Sequence, residues 1–67
     1  MNKVREVRKL AGMSGEKLAR AAEMSASDLS KLERGLVNAY PGWRQRIAAA
    51  LGHEEEDLFP GVADAER

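Results

Sequence analysis

No cysteine occurs in this 67-residue chain, so no disulfide can staple the fold, and the single His53 supplies too few ligands for a structural zinc. A reducing, cytoplasmic setting is the natural expectation. No stretch approaches the ~18 apolar residues of a membrane span, and residues 1–10 alternate charged and apolar side chains where a signal peptide would have an apolar core. Internal repeats, low-complexity segments and strand-like alternation are missing as well. A catalytic constellation is also lacking: a serine nucleophile needs a positioned base, and His53 lies far along the chain from Ser14, Ser25, Ser27 and Ser30. The expectation is a protein that is not an enzyme and needs no cofactor. The length lies below the roughly 70–80 residues at which one core becomes comfortable, so a single domain of modest stability, or one that shares its stability with a partner, is expected.

Net charge is zero, but the distribution is not even. Residues 1–46 hold ten basic side chains (Lys3, Arg5, Arg8, Lys9, Lys17, Arg20, Lys31, Arg34, Arg44, Arg46) against five acidic ones (Glu6, Glu16, Glu23, Asp28, Glu33). Residues 47–67 reverse the balance, with Glu54, Glu55, Glu56, Asp57, Asp64 and Glu66 against Arg67. A polyanion such as nucleic acid can approach the first part and is repelled by the second.

Hydrophobic spacing divides the chain into helices. Val4, Val7 and Ala11 recur at helical intervals, which predicts a helix over residues 3–11 stopped by Gly12, with Met13 packed beneath it. Ser14 and Ser25 stand directly ahead of two further helical repeats, where a hydroxyl accepts from an orphan N–H of the first turn. Leu18, Ala19 and Ala22 share one face of residues 15–22, and Leu29 and Leu32 share one face of residues 26–34. Met24 sits in the tight turn between them. Gly35 ends the second of this pair, and residues 36–40 read as a loop. Pro41 opens a fourth helix whose Trp43, Ile47, Ala50 and Leu51 align before Gly52, and a short helix over residues 55–59 is cut off by Pro60-Gly61. Residues 61–67 read as a flexible tail.

Arg8 followed by Gly12, the Leu18-Ala19 pair, the leucine-glutamate-x-glycine of residues 32–35, Ile47-Ala48, Leu51-Gly52 and Leu58-Phe59 form one spaced pattern. It resembles the lambda-repressor-like, or Cro-type, helix-turn-helix domains across residues 1–60. The resemblance implies an all-α, compact five-helix bundle that binds double-stranded DNA, its third helix in the major groove and its second across the backbone. It also implies a homodimer on two half-sites, pairing either free or only on DNA. Base contacts then fall to Ala26, Ser27, Ser30 and Lys31, which lie off the Leu29/Leu32 face and are mostly short, with Lys31 the one long side chain for guanine O6 and N7. Phosphate contacts fall to Ser14, Gly15, Glu16, Arg34 and Arg44, those at residues 15 and 16 through backbone N–H groups. Arg44 has a solvated role as the alternative, and Arg46 is the weaker candidate.

Two residues depart from the family pattern. Glu23 occupies the turn position that is most often glycine, and Gly15 opens the second helix where glutamine is common, which implies a weaker grip on phosphate. Arg8 and Glu33 are expected to form a structural ion pair between the first and third helices. Ser25 and Asp28 have capping-box spacing, so Asp28 is assigned to the helix start and not to a base. Trp43 is assigned to the core or its rim ahead of base stacking. The run at residues 54–57 reads as favourable charge at a helix start, ahead of an acidic partner patch or a His53/Asp57 metal site. Leu58 and Phe59 are expected to pair with a second copy. The reading is a sequence-specific regulator, most simply a repressor occupying a palindromic operator, either a whole protein or part of one with a further sensor or dimerisation region. The alternative is a protein-interaction module on the same fold, of antitoxin or anti-repressor type.

Overall fold

The hydroxyls of Ser14 and Ser25 start two helices as their positions require, accepting from the N–H of Lys17 at 3.1 Å and of Asp28 at 3.0 Å. In the computed structural model, which describes residues 2–60, five helices follow one another: α1 (Val4–Leu10), α2 (Gly15–Ala21), α3 (Ala26–Glu33), α4 (Pro41–Leu51) and α5 (Glu55–Leu58). No strand occurs among the described residues. The tail expected at residues 61–67 lies outside them. α4 spans the residues its repeat predicts, while α1, α2, α3 and α5 are each one residue shorter at one or both ends, because Lys3, Ala11, Ala22, Arg34 and Phe59 serve as caps.

Four of the helices end alike. At the end of each of the first four, the N–H of the residue after a left-handed one bonds back five residues: Met13 to the Arg8 carbonyl, Met24 to Ala19, Leu36 to Lys31 and His53 to Ala48. This closing pattern needs one residue in the left-handed region, supplied by Gly12, Gly35 and Gly52 in α1, α3 and α4. In α2 it falls to Glu23, at φ 56°, the expected non-glycine turn residue.

Leu18, Leu29, Leu32 and Ile47 are fully enclosed and form the centre of the core, with Val4 of α1 and Leu58 of α5 closing it. The first and last helices are tied directly, since the N–H of Lys3 donates to the Leu58 carbonyl at 2.8 Å. Val7, Met13, Met24, Trp43 and Leu51 pack around this centre half-buried. Ala11 is exposed, contrary to its place in the apolar repeat, because α1 ends at Leu10 and the chain turns away at Gly12.

Leu58 and Phe59 are not the surface expected for a second copy. They are 0% and 3% exposed within a single chain, where α5 folds them against α1 and α4, so this assignment is corrected to core packing. Among the described residues no helix is long and apolar enough to cross a membrane.

Candidate nucleic-acid interface

On α3 the apolar face carrying Leu29 and Leu32 is buried, which turns Ala26, Ser27, Ser30, Lys31 and Arg34 outward. These five residues follow an i, i+1, i+4, i+5, i+8 series and so form one stripe along the helix. Small side chains occupy its first half, and the two cations its second. The Ser25 cap fixes the start of the stripe, although the capping box is closed from one side only: Asp28 donates its N–H, while no bond returns to its carboxylate. Arg34 folds its Nε toward the Ser30 carbonyl at 3.3 Å and remains exposed.

The start of α2 lies beside this stripe. Ser14, Gly15 and Glu16 share a shallow groove with Ala26 and Ser30, floored by Leu29 and by the Arg8–Glu33 pair. Residues from two helices that the sequence assigned to backbone and base contacts are thus brought to one surface. Gly15 leaves this groove open, because a Cβ added there would meet nothing within 4 Å.

Arg8 holds the groove from below. Its Nε and Nη2 donate to the two Glu33 carboxylate oxygens at 2.8 and 3.2 Å, and its Nη1 donates to the Met13 carbonyl at 2.9 Å. The side chains are 13% and 8% exposed, so the pair is largely shielded from water. Hydrogen bonding to Glu33 raises the Arg8 pKa, burial opposes this, and the carboxylate charge adds to the rise. A raised pKa in a cation gives stability below its unfolded value that is lost only as pH climbs through the folded one, so Arg8 stays charged at any working pH.

Arg44 is corrected from a phosphate contact to a structural residue. It is 5% exposed, and its guanidinium turns inward to the Ala39 carbonyl and to Glu55 at 3.4 Å, joining the loop before α4 to α5. The signal was present in the sequence, since residue 44 stands three and four positions ahead of the buried Ile47 and Ala48.

Two positioning residues were missed. Arg46 donates to the Ala22 carbonyl at 2.7 Å, holding the turn between α2 and α3 from α4. Asn2 donates from Nδ2 to the Leu32 carbonyl at 2.8 Å and accepts the Val4 N–H on Oδ1 at 3.1 Å, fastening the end of α3 to the start of α1. The bonds to Ala22 and Leu32 span more than twenty residues of sequence, and no local pattern announces them.

At the far side, Glu54 and Asp57 cap α5 reciprocally, which accounts for two charges of the acidic run. His53 Nδ1 stands 3.9 Å from the Asp57 carboxylate. Trp43 is half-buried and meets the exposed Tyr40 edge-on, ring centres 5.0 Å apart. With Arg8, Arg44 and Arg46 turned to internal carbonyls, the cations left exposed in residues 1–46 are Lys3, Arg5, Lys9, Lys17, Arg20, Lys31 and Arg34. All of them lie on α1, α2 and α3 or at their ends.

A family model described as a helix-turn-helix domain matches residues 2–58, almost the whole described chain. No curated protein and no solved structure matches.

Proposed function

We propose, for a chain that belongs to the helix-turn-helix domain family, that it is a DNA-binding regulator reading duplex sequence with α3 in the major groove. In this reading it is a repressor that occupies a palindromic operator as a homodimer in the cytoplasm, without catalysis. The outward stripe of α3 carries the proposal. A helix about 10–12 Å across fits the roughly 12 Å width of the major groove, and short side chains at the start of α3 allow close approach to base edges. Lys31 donates to guanine O6 and N7. Ser27 and Ser30 exchange hydrogen bonds with base edges, and the Ala26 methyl meets a thymine methyl. Arg34 and the backbone N–H groups near Ser14, Gly15 and Glu16 hold phosphates and set the register. The dimer contact does not come from Leu58 and Phe59, which their own core consumes.

Selection of preferred sites from random duplex DNA tests this. The expected result is a motif of two inverted half-sites about one helical turn apart. A chain that retains no duplex in a salt-sensitive way would overturn the reading and favour a module whose partner is another protein.

A further inference from the structure

Beside the reading stripe lies a second cleft, between α1 and the end of α3. Arg5, Lys9 and Arg34 line it together with Asn2, Glu6 and Glu33. We infer that this cleft is a second phosphate-binding surface, which takes the duplex backbone flanking the major groove at the end of α3. The inference rests on the DNA reading above and extends its footprint to α1.

Four observations support it. Arg34 belongs both to the α3 stripe and to the cleft, so a duplex seated on the first continues over the second. Arg5 and Lys9, one helical turn apart on α1, are exposed, and neither enters an ion pair among the described residues. Unpaired surface cations release counterions on meeting phosphate without first breaking a bond inside the protein. The charges that would oppose an anion are mostly covered. Glu33 is held by Arg8, and the Leu32 carbonyl at the negative end of α3 is taken by Asn2 and Gly35. Glu6 is the one acidic side chain of the cleft without such a partner, so it weakens the site it lines.

The chain, its Arg5→Ala/Lys9→Ala variant and its Glu6→Gln variant are titrated with the selected duplex and with random duplex between 50 and 200 mM salt. The double variant is expected to lose on the order of tenfold in affinity for both duplexes and to lower the salt slope by about 1.8, two phosphate contacts' worth. Its preference between the duplexes stays the same, and its thermal midpoint stays that of the parent, which separates lost contacts from lost folding. Glu6→Gln binds both duplexes more tightly. An unchanged slope in the double variant, with salt-sensitive binding by the parent, overturns the cleft alone. A parent that shows no salt-sensitive binding overturns the cleft and the DNA reading together.

Discussion

Arg8 and Glu33 meet through two parallel hydrogen bonds, 2.8 and 3.2 Å long, that join α1 to the last turn of α3. With the Asn2 bond to Leu32, they hold the end of the proposed reading helix by polar contacts, while its inner face is held by Leu29 and Leu32 in the core. Breaking such a shielded pair leaves one charge without its partner, which costs more than the pair contributes over apolar substitutes. Arg8→Ala is therefore expected to lose about 3 kcal/mol in urea unfolding. Arg8→Met/Glu33→Leu should recover most of that loss. A double variant as unstable as the single one would show that the carbonyl of Met13, not Glu33, is the partner that matters.

Arg44 separates stability from binding in the opposite way to a surface cation. Arg44→Met strands the Ala39 carbonyl and frees Glu55, and it should destabilise the fold by about 2–4 kcal/mol while leaving the salt slope of DNA binding unchanged. A flattened slope with an unchanged melting temperature would return Arg44 to the interface.

Glu23 sits at φ 56° with an exposed side chain, so it bears the cost of a left-handed backbone and gains no packing in return. Glu23→Gly is expected to stabilise the chain by about 0.5–1 kcal/mol, the relief of strain being partly offset by the greater freedom of glycine in the unfolded chain. Calorimetric melting reads the change directly. A lower midpoint would mean that the Glu23 side chain contributes something its exposure does not show.

Lys31 and Arg34 are adjacent cations of one stripe with different assigned tasks. Lys31→Ala should cost ~1–3 kcal/mol on the selected site and relax the preference at one base position. Arg34→Ala should weaken all duplexes alike and lower the salt slope by about 1. Quantitative binding to single-base variants of the selected site tells them apart, and identical profiles for the two substitutions would contradict the assignment.

The sequence by itself determined the helices, because their starts and stops depend on neighbours along the chain. Ser14 and Ser25 reach an N–H three residues on, Pro41 presets a first turn, and the closing bonds at residues 12, 23, 35 and 52 reach back only a few positions. Periodicity likewise placed Leu29 and Leu32 inward, and so the stripe from Ala26 to Arg34 outward. The ion pair of Arg8 with Glu33 was legible through the family pattern and not through any local rule.

Only the tertiary structure decided which carbonyls the inward arginines bind and what Leu58 and Phe59 do. Arg8, Arg34, Arg44 and Arg46 are alike in composition, yet three of them turn inward to carbonyls exposed at loop or helix ends elsewhere in the chain, and one stays in solvent. A long side chain with five donors goes wherever a buried carbonyl lacks a partner, and such vacancies exist only once the helices have packed. Leu58 and Phe59 are core and not interface for the same reason: the return of α5 onto α1 creates the space they fill, and nothing within residues 55–60 records that return.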